Sequence, residues 1–135
     1  MDDKIIKFIK KHHLLTLATS CDNTPWCANT FYAYCKEDNT LIITSKLETR
    51  HATEALQNQN VACSIALETK IIGKLQGIQI SGTITQTDNP AHKATFLKKF
   101  PYAAPFLEPL WAIQISHAKL TDNTLGFGKK ITFNA

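Results

Sequence analysis

A chain of 135 residues, 44% apolar and 19% charged, is long enough for one full-sized core and too short for two ordinary domains. No apolar run approaches the ~20 residues of a membrane span, and the opening Met1-Asp2-Asp3-Lys4 does not read as a secretion signal. A net charge of +4 on scattered lysines leaves no stripe for nucleic acid, and the four cysteines form no C-x-x-C pair, so free thiols in a cytoplasmic setting are expected.

In chain order, Asp2 or Asp3 caps a short helix with Ile5, Ile6 and Ile9 on one face, ending near Lys11. His12-His13 sits at its exit, where cations suit the helix dipole. Leu14–Thr19 reads as a strand, Ser20–Pro25 as turn chemistry, and Trp26–Tyr34 as a second strand hairpinned to the first. Lys36–Asn39 turns the chain into a third, β-branched strand, Leu41–Ser45. Helix formers follow Thr49 and run to about Gln57–Asn60, and Val61–Leu67 is again a strand. A long strand runs from Leu75 to about Thr87, with Ile78, Ile80, Gly82 and Ile84 on one face. Its two glycines mark a bulge or a close approach of backbone. Asp88-Asn89-Pro90 starts a helix carrying Ala94, Phe96, Leu97 and Phe100. Pro101–Pro109 is irregular, Leu110–Leu120 is a strand, and the last strand lies around Leu125–Gly128 and Ile131–Phe133. The sum is one mainly β (α+β) domain over residues 1–135, with six or seven antiparallel strands closed into a small barrel so that no long edge is left.

The handover from strand to helix carries the chemistry. Thr44, Ser45 and Thr49 bracket it, and Arg50 follows as the only arginine, against fourteen lysines. The first amides of a helix have no intrahelical partner and sit at the positive end of its dipole, so a phosphate is favoured there. Arginine adds a planar fork that matches phosphate oxygens two at a time. The alternative is a helix capped by Thr49 or Ser45 with Arg50 solvated. No catalytic triad, carboxylate pair or metal-ligand spacing stands out; the five histidines are irregularly placed, and the thiols read as buried and structural. No metal is expected, and no catalytic residue is named by the sequence.

Four motifs in order resemble a known family: Ala18-Thr19 with Asp22-x-x-Pro25-Trp26, Thr44-Ser45 with Thr49-Arg50-His51, Gly77–Gly82, and Asp122–Lys130 with its Gly-Phe-Gly-Lys ending. The chain is similar to the pyridoxamine 5'-phosphate oxidase-like FMN-binding split barrels, most of all to a small bacterial branch. That resemblance implies an antiparallel split β-barrel with peripheral helices and a homodimer with two equivalent sites at its interface, FMN in each. It implies that Thr44, Ser45, Thr49 and Arg50 hold the phosphate, with His51 where the family often has lysine. Ala28, Asn29 and Thr30 would run along the isoalloxazine, Gln79 and Trp111 would approach from the partner or the barrel wall, and Lys129 would lie near the mouth. The implied activity is FMN-dependent oxidoreduction of a small molecule stacked near Trp111 and Phe127. With one arginine, the chain lacks the arginine-rich substrate site of the true oxidases, which argues against vitamin B6 phosphate. The alternatives are a non-catalytic flavin binder, a haem-handling protein with His51, His92 or His117 as ligand, and a deazaflavin protein.

Overall fold

A computed structural model describes all residues, 1–135. Helix α1 (Asp3–Lys11) precedes strands β1 (Leu14–Cys21), β2 (Thr24–Phe31), β3 (Ala33–Cys35) and β4 (Thr40–Thr44). Helix α2 (Arg50–Gln57), β5 (Asn60–Ala66), β6 (Gln76–Gln86), α3 (Pro90–Lys99), β7 (Leu110–Asp122) and β8 (Lys130–Asn134) follow. The antiparallel sheet runs β2-β1-β5-β6-β7-β4-β3, with β8 added along β7. Since β2 and β3 are separated in sequence by Tyr32 alone, the chain itself joins the two ends of the sheet, which makes this a split barrel.

That break differs from the single strand expected over Trp26–Tyr34. Tyr32 is fully buried and its hydroxyl donates to the Ile9 carbonyl at 2.6 Å, turning the chain from its pairing with β1 to its pairing with β4. The β1–β2 turn is tighter than expected. Only Asp22 and Asn23 lie outside the ladder, at φ of 51° and 61°, the left-handed conformation that Asp and Asn tolerate best in two-residue hairpins. Leu125–Gly128 forms no strand. Gly126 and Gly128 take φ of 135° and 72°, so pairing resumes only at Lys130.

Inside the barrel, Leu15, Leu17, Ile43, Ile65, Ile78 and Ile113 form the main core, with Ile5, Phe8 and Ile9 of α1 packed against it. A second cluster lies outside, where Phe96 and Phe100 of α3 cover Ile42, Ala33 and Ala112. Strand β4 is thus buried on both faces, which is why Leu41-Ile42-Ile43 is an unbroken apolar run. The expected inward face of β6 forms as read, and Gly82 marks a bulge against β7, where Ser81 pairs with His117 but Gly82 with Ile115. A Cβ on Gly82 would lie 2.3 Å from the carbonyl oxygen of Gln114, so no larger residue fits the ladder as it stands. Ser116, the extra residue, switches the inward set of β7 from Ile113 and Ile115 to Ala118 and Leu120, and leaves His117 and Lys119 lining a cavity on the outer face. Gly77 needs no such explanation, since a Cβ there would meet only ordinary contact at 3.7 Å.

Candidate functional site

Strand β4 ends at Thr44, and the chain turns through Ser45 into α2. The turn is fixed from below, as Ser45 N–H donates to the Pro109 carbonyl at 3.0 Å and the Trp111 indole N–H donates to the Ser45 carbonyl at 3.1 Å. Thr49 caps α2, its Oγ1 accepting from Ala52 N–H at 3.2 Å. Within the turn, Ser45 Oγ lies 2.5 Å from His51 Nε2 and 3.2 Å from Thr49 Oγ1, a compact cluster of two hydroxyls and one imidazole. Burial pushes the His51 pKa below its usual value of 6.5, so the ring is neutral at pH 7 and acts through hydrogen bonds rather than charge.

Arg50 is neither buried nor loose. Its Nε donates to Glu54 Oε2 at 3.0 Å, its guanidinium carbon lies 4.1 Å from the Trp26 ring centroid, and its side chain is 48% exposed. Glu54 is held in turn by the Thr19 hydroxyl, which donates to Oε1 at 2.8 Å. The Thr19 hydrogen bond, then that of Arg50, keeps the Glu54 carboxyl below the ordinary glutamate range. A relay of Thr19, Glu54, Arg50 and Trp26 therefore orients the guanidinium through Nε and one ring face while its terminal Nη groups engage no protein acceptor. Glu54 and Trp26 thereby join the site beyond the residues expected from the sequence. The spacing of four from Arg50 to Glu54, a helical ion pair, was the available signal for the first.

Along β2, Trp26, Ala28 and Thr30 alternate with Cys27 and Asn29. Thr30 and Thr44 line a small cavity of about 130 Å³ walled by Phe96, Phe100, Tyr102 and Phe106. One side of β2 thus leads from the Arg50 guanidinium at Trp26 to an aromatic cavity at Thr30. On the outer side, Asn29 Oδ1 accepts from the Thr16 hydroxyl at 2.7 Å, and Thr16, Ala18, Cys27, Ser64 and Gln79 line a cavity of about 440 Å³. Cys27 is exposed on this edge strand and Cys21 half-exposed, so the expectation of buried thiols holds only for Cys35 and Cys63. Burial pushes the Cys63 thiol up to about 12, which makes it inert.

The split barrel, the anion-suited turn and its position beside β2 meet a direct match. A sequence profile of the pyridoxamine 5'-phosphate oxidase family fits residues 1–119. The chain belongs to that family. A UPF0306 protein of Cronobacter sakazakii is 35% identical over 134 residues, covering 97% of this chain and 93% of the relative. Among solved structures, a heme binding protein from Mycobacterium smegmatis superposes with a TM-score of 0.78 at 11% identity, over 99% of this chain and 59% of that one. A FAD-binding protein from Mesorhizobium loti gives 0.71 at 14% identity, over 87% and 89%. At such identities the two share the fold.

Of the residues that the oxidase-family resemblance singles out, Thr44, Ser45, Thr49, Arg50 and His51 cluster at the start of α2, with Ala28 and Thr30 on the adjoining strand. Asn29 and Gln79 lie on the outer face, and Lys129 sits in the β7–β8 turn, its N–H donating to Gly126 O at 2.9 Å. Trp111, at 1% exposed, belongs to the core of the barrel wall, and its indole N–H holds the Ser45 carbonyl from beneath the turn. Phe127 is 86% exposed. No helix is long and apolar enough to cross a membrane.

Proposed function

We propose that this protein is a homodimeric FMN-dependent oxidoreductase acting on a small molecule. The observation that carries the reading is the donor set at the start of α2. The Arg50 Nη groups, the Ser45 hydroxyl and the orphan Arg50 and His51 amides lie at the start of α2, where a phosphomonoester would dock, and Thr49 braces that start, its hydroxyl donating to the Lys46 carbonyl at 2.9 Å while accepting from Ala52 N–H. The chemistry of this set fits the group. A dianion needs several donors and at least one permanent charge, which Arg50 supplies while His51 contributes a neutral hydrogen bond. Glu54, the carboxylate beside it, accepts from the Thr19 hydroxyl and from Arg50 Nε, so it leaves the Nη groups without a protein acceptor.

The isoalloxazine would follow the Ala28–Thr30 backbone toward Thr44 and the aromatic cavity. Bound FMN supplies hydride or single-electron transfer, which none of the chain's own side chains provides. The chain's part is to hold the phosphate, to fix the ring against β2 and to keep water from its buried edge. The second copy would dock on the outer face, where Thr16, Ala18, Ala62, Ser64 and Ser81 are small enough for close approach and where Asn29 and Gln79 lie.

The test is titration of ligand-free protein with FMN followed by flavin fluorescence, with mass spectrometry of any copurifying ligand and a solution mass. The expected result is one FMN per chain on a particle of two chains, followed by oxidation of reduced nicotinamide with a flavin acceptor. Binding without turnover would make the protein a flavin carrier, and no change in FMN fluorescence would refute the reading.

Haem handling has one observation in its favour. His117 lines the outer cavity, and its Nδ1–H donates to Asn134 Oδ1 at 2.7 Å, leaving Nε2 free for an axial bond. His51 and His92 are instead held by Ser45 and by Thr87 and Asp38. A Soret band on haemin titration that disappears in His117→Ala would select this reading.

A further inference from the structure

At the N-terminal end of α3, on the same buried face as Phe96 but one turn before it, three chemically unlike side chains from three segments point at one another. Cys35 ends β3, Asp38 sits in the β3–β4 turn, and His92 lies in the first turn of α3, 54 residues from Asp38. Their ligating atoms all fall within 4.8 Å of one another. We propose that Cys35, Asp38 and His92 form a binding site for a divalent cation of the zinc class.

The arrangement is built rather than accidental. His92 is 6% exposed and Cys35 2%, so neither samples many rotamers. His92 Nε2 faces Asp38 Oδ2 at 2.6 Å, while its Nδ1 lies 2.8 Å from the Thr87 hydroxyl. Asp38 is steadied through its other oxygen, which accepts from the Thr40 hydroxyl at 2.7 Å. The turn is itself clamped, with Gln114 Nε2 donating to the Asp38 carbonyl at 2.8 Å and the Tyr34 hydroxyl to Asn39 Oδ1 at 2.6 Å. A histidine with one nitrogen on a hydroxyl and the other aimed at a carboxylate and a thiol has the outer-shell support that metal ligands generally have. A thiolate, an imidazole and a carboxylate together suit a borderline-soft ion such as Zn²⁺ or Co²⁺ better than Mg²⁺ or Ca²⁺.

The geometry needs small adjustments. Bonds of about 2.0–2.3 Å at tetrahedral angles place ligand atoms roughly 3.3–3.6 Å apart. The Asp38–His92 pair must open by under about 1 Å to admit the ion. Glu37 is the fourth ligand within reach, since the Cys35 thiol donates to its Oε2 at 3.3 Å, already at the tetrahedral edge length; otherwise water takes that position. Entry is from the Asp38 side, whose side chain is 41% exposed. On binding, the Cys35 S–H proton leaves to solvent and the S–metal bond forms. The imidazole stays neutral, its proton leaving Nε2 for Nδ1, where the Thr87 oxygen can accept it. No electron changes hands. An ion here would tie α3 to the β3–β4 turn, and so stiffen the wall on which Phe96 and Phe100 stand beside Thr30 and Thr44.

Metal-stripped full-length protein titrated with Co²⁺ tests this. The expected result is one equivalent bound with a thiolate-to-cobalt charge-transfer band and tetrahedral d–d absorption, displaced by Zn²⁺, and a higher melting temperature with Zn²⁺ than with Mg²⁺. The band should survive Cys21→Ser with Cys27→Ser, and vanish in Cys35→Ser. Asp38→Asn, on the exposed side and sparing the thiol, should weaken Co²⁺ binding at least about tenfold, and serves if Cys35→Ser does not fold. Absence of the band in the native protein, its persistence in Cys35→Ser, or unchanged affinity in Asp38→Asn would overturn the proposal.

Discussion

Replacing Arg50 by alanine separates its two roles, because they have different sizes and different readouts. In the folded chain without ligand, Arg50 contributes a helical ion pair to Glu54 and a stack on Trp26. With the guanidinium side chain 48% exposed, the first is worth about 0.3–0.5 kcal/mol. The second adds about 0.5–1 kcal/mol at an exposed site. Arg50→Ala should therefore lower unfolding free energy by only about 1 kcal/mol, read from urea denaturation. Against a phosphate, the same side chain offers charge-assisted hydrogen bonds from two Nη groups, about 1.5–3 kcal/mol. That corresponds to FMN affinity weakened roughly 10- to 150-fold. The loss should shrink as salt is raised, since part of it is charge at an exposed site.

Glu54→Gln is the companion variant. A glutamine oxygen can still accept from Thr19, but its amide cannot accept from Arg50 Nε, so the guanidinium loses its orienting contact while a carboxylate near the phosphate is neutralised. The two effects oppose each other, and affinity is expected to stay within about threefold, under 1 kcal/mol. Flavin fluorescence titration of the native protein and both variants at two salt concentrations makes the comparison. An Arg50→Ala protein with native FMN affinity and only a small loss of stability would refute the phosphate assignment, leaving Arg50 as a surface brace between Glu54 and Trp26.

Other positions test the frame around the site. Gly82→Ala should destabilise by about 3 kcal/mol or more, the upper end of overpacking, because the atom its Cβ meets is a backbone carbonyl that cannot swing aside; a thermal or urea melt reads it. Tyr32→Phe removes a buried hydrogen bond and leaves the Ile9 carbonyl without it, at about 1–2 kcal/mol in the same assay. Burial lowers the pKa of both His51 and His12 below 6.5, so the unfolded chain binds more protons just below that pH and stability must fall as pH drops through this window. The depressed carboxyls of Glu54 and Asp38 act with the same sign at lower pH, below the usual carboxylate values. Urea midpoints measured against pH should show the upper limb, and His51→Gln should make it shallower.

Much of this was legible because it is local. The Asn89-Pro90 start of α3, the Asp2 cap of α1 and the alternation of Ile78, Ile80 and Ile84 are decided by neighbours a few residues away, and each formed where the sequence placed it. The break at Tyr32 was not legible, since it depends on the carbonyl of Ile9, 23 residues earlier, reaching the tyrosine hydroxyl. The switch of inward face within β7 was hidden for the same reason: a bulge at Ser116 answers a glycine on another strand. At the site, Thr49 and Arg50 were readable as helix-start chemistry, whereas the stack of Trp26 on Arg50 requires β2 to lie beside α2. That Trp111 is a core anchor beneath the site was not legible, because an aromatic residue near the start of a strand reads equally well as a ligand face or as core, and only the Ser45 carbonyl above it decides.

The break at Tyr32 also explains why the site is where it is. A strand continuing straight from Trp26 to Cys35 would pair along one neighbour and leave the barrel open. By turning at Tyr32, the chain gives its first half to β1 and its second to β4, so that Thr30 on one half comes to line the same cavity as Thr44 at the end of the other's partner. Trp26, four residues before Thr30 on the same side of the strand, then falls beside the first residue of the helix that β4 feeds. Barrel closure and the meeting of β2 with the start of α2 are thus one event. A substitution that straightens this strand should disturb cofactor affinity along with stability, although Tyr32 touches neither Arg50 nor the hydroxyl cluster.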